Sequence, residues 1–271
     1  MSNISNRNVT MGLLKKYEQR AKKHLGQNFI IDPSVVEGIA EKSGEKGICL
    51  EIGPGLGALT EQLSKRYDQV IAYEIDPFMV EILQESLSSY DNVEVIYEDF
   101  LKADLGYLKN KEITVCANLP YYITTPILFK LMELNTKAIT IMVQKEIADR
   151  LTASVSTKDY SSLSIQMQYY FDIKKVLNVS RQSFHPQPNV DSIVIKLTPK
   201  EATMVFEEKA FFEFVRSCFQ FRRKTLINNL KQINPDKDYS LLLKEIGIDA
   251  KVRAENLDIE DFKKIYGVLY A

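Results

Sequence analysis

The stretch Ile48-Cys49-Leu50-Glu51-Ile52-Gly53-Pro54-Gly55-Leu56-Gly57 decides the fold. Its first five residues are a short, mostly apolar run ending at a glycine, the pattern of a buried strand. Glycines then occupy alternate positions, where they let the backbone turn sharply and let a ligand approach the main chain. The spacing is Gly-x-Gly-x-Gly and differs from the dinucleotide fingerprint. Pro54 removes an N–H that a pyrophosphate would use, and the Glu51 carboxylate would repel phosphate. A cofactor carrying an ammonium and a sulfonium suits that carboxylate better. Taken alone, the same residues also read as a tight turn with no ligand.

Working outward, residues 69–73, 93–97, 113–117 and 138–143 also read as buried strands, and 58–66, 77–89 and 127–134 as helices. Asp76 is placed to cap the second of these helices, with Pro77 in its first turn. Strand–helix alternation at this spacing predicts an α/β fold with a doubly wound, mainly parallel sheet. Residues 166–171, 174–179 and 192–197 read as later strands. Pro199-Lys200 marks a boundary. Beyond it Phe211, Phe214, Cys218 and Phe221 share one helical face, and 240–246 and 259–268 read as further helices. The expected domains are therefore 1–199 and a small helical 200–271.

Two acids follow the glycine turn at strand ends. Glu74 lies 21 residues past Gly53 and can accept hydrogen bonds from both hydroxyls of an adenosine ribose. Asp99 can accept from an adenine amino group, with Phe100 packing on the ring. Each acid by itself also reads as a strand-end surface residue; the set, in strand order, points to a nucleoside site. Asn118-Leu119-Pro120-Tyr121 closes the 113–117 strand, and carboxyl ends of strands line the ligand crevice in such sheets. An exocyclic base amine is a poor nucleophile because its lone pair is delocalised into the ring. The Asn118 side-chain oxygen and the Leu119 carbonyl can each accept one N–H and favour a pyramidal nitrogen. Pro120 stiffens the turn, and Tyr121 offers a face for a flipped base. No general base is required, since the amine proton becomes acidic only after transfer. In Phe184-His185-Pro186-Gln187-Pro188-Asn189-Val190-Asp191-Ser192 the prolines hold an extended loop, and Phe184 is placed as a second wall opposite Tyr121. His185 has no required role in this chemistry.

Charge supplies the class of substrate. The chain of 271 residues has a net charge of −1, but residues 1–31 carry +5 and residues 211–231 carry +4, leaving −10 on the rest. Two basic segments on an acidic body fit either a localised polyanion site or two solvated helix faces. Lys22, Lys23, Arg222, Arg223 and Lys224 are the candidate phosphate contacts. The cysteines, Cys49, Cys116 and Cys218, sit inside apolar runs and read as small buried hydrophobes. No Cys/His spacing suits zinc, so no metal is expected. No stretch is long and apolar enough to span a bilayer, and the N-terminus lacks a signal-type apolar core, so the expectation is a cytoplasmic protein with no membrane contact.

Together, Leu25-Gly26-Gln27-Asn28-Phe29-Ile30, residues 51–57, Glu74, Asp99, Asn118–Tyr121 and 184–192 resemble the ribosomal RNA adenine N6,N6-dimethyltransferases. The nearest branch is the bacterial small-subunit (16S) enzyme, whose loss gives kasugamycin resistance. Ile30 stands where that family usually has Leu. The resemblance implies a class I methyltransferase (Rossmann-like) fold with one antiparallel strand and a helical C-terminal rRNA-binding domain, preceded by a basic arm over 1–24. It implies S-adenosylmethionine as methyl donor, held by Gln27, Asn28, Ile30, Gly53, Gly55, Glu74, Asp99, Phe100 and Asn118. It also implies dimethylation of two adjacent adenines near the 3′ end of small-subunit rRNA within an assembling 30S subunit, by a monomer.

Three other readings stand beside this one. A methyltransferase for a glutamine amide uses a similar Asn-x-Pro-Tyr logic, but the basic 15–23 segment and the aromatic Phe184 loop fit RNA better. A large-subunit rRNA adenine methyltransferase of the macrolide-resistance type has most of these motifs; the 184–192 loop and the 72-residue tail after Pro199 favour the small-subunit enzyme. A ribosome assembly factor acting mainly by binding would need neither the Asn118 quartet nor the glycine turn.

Overall fold

A computed structural model describes residues 3–22, 25–120, 123–201 and 203–270. The chain divides into two compact units. One comprises residues 1–148 and 173–199, and the other 149–172 and 200–271.

The first unit opens with α1 (Arg7–Lys16), β1 (Phe29–Ile30), α2 (Pro33–Ser43), β2 (Ile48–Ile52), α3 (Ala58–Ser64), β3 (Gln69–Glu74), α4 (Pro77–Ser86) and β4 (Val93–Tyr97). It continues through β5 (Ile113–Asn118), α5 (Thr124–Leu131), β6 (Thr136–Gln144) and the start of α6 (Lys145–Leu151). After α7 (Ser162–Tyr170), the chain returns as β7 (Phe171–Val179), β8 (Phe184–His185) and β9 (Ser192–Pro199). The sheet order is β4-β3-β2-β5-β6-β9-β7, and β1 pairs separately with β8. β2 lies parallel to both β3 and β5, β5 to β6 and β3 to β4, while β9 runs antiparallel to β6. This is the doubly wound α/β sheet that the strand–helix alternation predicts, with the antiparallel strand that the resemblance implies.

Side chains explain why the central strands sit where they do. Cys49, Leu50, Val70, Ala72, Val115, Cys116 and Ala117 are wholly buried, as strands covered by helices on both faces must be. β4 is at the edge and only half buried, exposing Glu94 and Tyr97. Asp32-Pro33 and Asp76-Pro77 start α2 and α4 alike: each Asp accepts a hydrogen bond from the second N–H beyond it, at Ser34 and Phe78. α1 is more than a solvated helix face, because it is held by long-range packing. Ile4 and Leu14 join Leu56, Met79, Ile82 and Leu83 in one apolar cluster, and the Ile4 N–H donates to the buried Glu61 carboxylate at 2.9 Å.

The second unit adds α8 (Glu208–Cys218), α9 (Leu226–Ile233), α10 (Tyr239–Glu245) and α11 (Ile259–Tyr270). Phe211, Phe214 and Cys218 are buried on one face as expected. Phe221 is 46% exposed, because α8 ends before it. Residues 166–171, read as a strand, are mostly helical. Ser161 and Ser164 form a reciprocal capping box that starts α7, and only Phe171 opens the following strand. That helix explains why a division at residue 199 alone is insufficient. Ala153, Tyr160, Ile165 and Tyr169 are buried in the same core as Phe211, Phe212, Val215, Leu230 and Phe262, so residues 149–172 belong to the helical unit. No helix among the described residues is long and apolar enough to cross a membrane.

Gly57, at the start of α3, takes φ +90°, and a Cβ there would stand 3.1 Å from Leu83 and 3.2 Å from Leu87. Backbone strain and overlap with two packed leucines act together. Gly57→Ala is expected to destabilise the protein by roughly 1–3 kcal/mol, measured as a lower midpoint in urea unfolding with an unchanged slope.

Candidate active site

The carboxyl ends of β2, β3 and β5 open into one cavity, as the direction of a doubly wound sheet requires. It is lined by Gly53, Pro54 and Gly55, by Glu74 and Ile75, by Glu98, Asp99 and Phe100, and by Asn118, Leu119 and Pro120. Leu25 to Ile30, Thr10 and Glu51 are also among its lining residues. Of the residues expected at a cofactor site, Gln27, Asn28, Ile30, Gly53, Gly55, Glu74, Asp99, Phe100 and Asn118 all line it.

Glu74 ties the turns together. Its Oε2 accepts the Gly55 N–H at 3.1 Å, and its Oε1 accepts those of Ile75 and Asp76, each at 2.9 Å. Burial raises its pKa, opposed by those three donors. The Gly53 N–H donates to the Tyr73 carbonyl at 2.9 Å, and a Cβ on Gly53 would meet nothing within 4 Å, so the cavity floor there is bare backbone beside open space. Asp99 Oδ1 accepts the Leu101 N–H at 3.0 Å. Phe100 is 5% exposed, with its ring edge-on to Tyr73 and the Lys130 ammonium 5.4 Å from its centroid.

Asn118 is oriented by its surroundings. Its Nδ2 donates to the Asn28 carbonyl at 3.4 Å, an acceptor that cannot serve its oxygen, so Oδ1 is the end left to accept. The following Leu119 N–H donates to the Met142 carbonyl at 3.2 Å and holds the turn to β6. Tyr121 and Lys23 lie outside the described residues. Phe184 does not line the cavity. It is 3% exposed, pairs across strands with Ile30, and packs with Val35, Val36, Ile39 and Val179. Its ring therefore offers no open face for stacking here; its position sets Ile30, which does line the cavity.

The expected phosphate contacts divide as well. Lys22 is committed inward: its ammonium is 2.7 Å from Asp76 Oδ1, whose side chain is fully buried, and 4.4 Å from the Phe78 ring centroid. Gln27 completes the clamp, donating to Asp76 Oδ2 at 2.8 Å while accepting the Lys22 N–H at 2.9 Å. Burial works to raise the Asp76 pKa, but the bonds from Lys22 and Gln27 prevail and hold it below the usual carboxylate value. The sequence identified Asp76 only as a helix cap; its partners lie 49 and 54 residues away. In the helical unit, Arg222 donates to the Lys158 carbonyl and to Glu255 Oε2, the latter at 3.1 Å. Arg223 and Lys224 are exposed and make no ion pair among the described residues. Lys22→Ala is expected to cost the free protein roughly 1–3 kcal/mol, read by urea unfolding without RNA. An unchanged midpoint would return Lys22 to the set of surface cations.

The family model of ribosomal RNA adenine dimethylases matches residues 18–270. The chain is 49% identical to the ribosomal RNA small subunit methyltransferase A of Bacillus cytotoxicus over 99% of its length and 98% of the relative's. It is also 49% identical to the protein of the same name from Bacillus pumilus, over 96% and 95%. Among solved structures, a dimethyladenosine transferase from Plasmodium falciparum is 31% identical, with a TM-score of 0.72 over 87% of this chain and 95% of that one. The 23S rRNA methyltransferase ErmE is 27% identical, with a TM-score of 0.67 over 90% and 100%. With the family model matched over residues 18–270 and relatives 49% identical along nearly the whole chain, the protein that carries this cavity at the carboxyl ends of β2, β3 and β5 belongs to the ribosomal RNA adenine dimethylase family.

Proposed function

We propose that this protein transfers methyl groups from S-adenosylmethionine to N6 of two adjacent adenines near the 3′ end of small-subunit rRNA, in an assembling 30S subunit. The observation that carries the reading is Asn118: its amide nitrogen is engaged by the Asn28 carbonyl, which leaves Oδ1 as the accepting end of a side chain that lines the cavity. The relatives named for the small-subunit reaction, at 49% identity over nearly all of the chain, support the choice of substrate over the large-subunit alternative.

The residues present fit the methyl donor. Gly53 and Gly55 give close backbone approach, and Glu74 and Asp99 supply acceptors for ribose hydroxyls and a base amine. Phe100 adds an apolar wall, and Gln27, Asn28 and Ile30 cover the cavity from the N-terminal side. When bound, the donor supplies an electrophilic methyl on a sulfonium. The protein's own contribution is positional. Asn118 Oδ1 and the Leu119 carbonyl accept the N–H groups of the target amine and direct its lone pair. The buried contacts of Leu119 keep that carbonyl from drifting. Tyr121 is the proposed stacking face for the flipped adenine, and Arg223 with Lys224 the proposed phosphate contacts.

Purified protein incubated with labelled S-adenosylmethionine and unmodified small subunits is expected to place four methyls on the 16S rRNA, counted by mass, and none on large subunits. Methylation confined to large subunits would overturn the reading. Asn118→Ala is expected to lower kcat roughly a hundredfold or more, the scale of losing one transition-state hydrogen bond, while the thermal midpoint stays within a few degrees. Arg223→Glu with Lys224→Glu is expected to weaken subunit binding and to reduce the slope of log affinity against log salt by about two.

A further inference from the structure

The cavity has an unusual charge balance. Glu51, Glu74, Glu98 and Asp99 line it, and among the described residues no lysine, arginine or histidine does. Three of these acids have an evident outlet for their charge. Glu74 accepts three backbone N–H groups, Asp99 accepts one and lies 3.7 Å from Lys102, and Glu98 is exposed to solvent. Glu51 has none. It sits in β2, with β3 and β5 on either side, is 1% exposed, and its Oε2 has no hydrogen-bond partner.

The groups that face Glu51 offer no counter-charge. Cys116 stands opposite it in the β2–β5 register, and Cys49 precedes it by two residues on its own strand. Glu74 approaches from β3 and adds like charge. From α3 comes the Thr60 hydroxyl, fully buried, near enough to temper the effect but itself without hydrogen-bond geometry to any partner. An isolated ionised carboxylate in such a place costs far more than a neutral acid. Burial accordingly pushes the Glu51 pKa up to about 8. At neutral pH the acid is mostly protonated, unlike an ordinary glutamate, and an unpaired oxygen beside the glycine turn awaits a donor.

We propose that Glu51 recognises its ligand by exchanging a proton: it holds one while the cavity lacks a cation, and loses it when an ammonium group enters beside the turn. The inference rests on the cofactor reading above, in which the ammonium is that of the amino-acid end of S-adenosylmethionine. The Glu51 O–H bond breaks, its proton passes to buffer, and the carboxylate pairs with the ligand's –NH₃⁺; no other bond changes. Glu51 is thus a positioning and selectivity residue. An adenosine lacking the ammonium leaves it neutral.

Calorimetric titration of the full chain separates these cases. S-Adenosylhomocysteine carries the ammonium; methylthioadenosine shares the nucleoside and thioether but lacks the amino-acid end. In phosphate and Tris at pH 7.0, whose ionisation heats differ widely, the first ligand is expected to release close to one proton, roughly nine-tenths, and the second none. Affinity for S-adenosylhomocysteine is expected to rise about tenfold per pH unit below pH 8 and to level above it. Glu51→Gln should erase both the proton release and this pH slope. The ligand's own amine titrates equally with both proteins, so their difference isolates Glu51. Equal proton release by the two ligands, or none by either, would overturn the proposal without requiring any variant to fold. Absence of binding by both ligands is a separate result, and would overturn the cofactor reading itself.

Discussion

A single carboxylate, that of Glu74, gathers the N–H groups of Gly55, Ile75 and Asp76. Two loops that leave neighbouring strands would otherwise carry unpaired backbone donors into a cavity, at a cost of a few kcal/mol. Glu74 satisfies both loops at once and fixes the distance between the glycine turn after β2 and the acid turn after β3. What lies further out inherits that registration. Asp76 is held where it caps α4 and receives Lys22 and Gln27, and the segment from Leu25 to Ile30 comes to cover the cavity. The site is therefore a chain of polar attachments, each positioned by the one before, built on a sheet whose own stability comes from apolar burial.

How much of this was legible follows from the range of each interaction. The strands around the glycine turn announced themselves because they are buried on both faces and read as unbroken apolar runs; β2 is the Ile48–Ile52 run itself. The acids at strand ends were recognisable because the parallel topology sends every carboxyl end to one side. Local caps misled where hydrophobic periodicity was ambiguous. Gln166-Met167-Gln168-Tyr169 alternates like a strand, yet the serine pair at 161 and 164 starts a helix there. Contacts between distant segments left no local trace. Lys22 looked like one more cation in a basic arm, and only the fold shows its buried acid partner; Phe184 looked like an open aromatic, and only the fold shows its ring enclosed.

Charge is sorted by depth as well as by sequence. Four acids line the cavity, while Arg223 and Lys224 stand exposed in the helical unit. Such a division places the acidic lining in one compact unit and the exposed basic pair in the other. It also explains why the net charge of −1 is uninformative about the substrate. A sum over the whole chain cancels the two patterns that matter.

The N-terminal helix carries a practical consequence. Thr10 lines the cavity, Ile4 sits in the apolar cluster over α4, and the Ile4 N–H satisfies the buried Glu61. Met11 offers a tempting second start codon for recombinant expression. A product begun there would lack all three contributions. Choice of expression boundary is thus also a choice about the integrity of the cavity at the strand ends, and affinity tags belong at the other end of the chain.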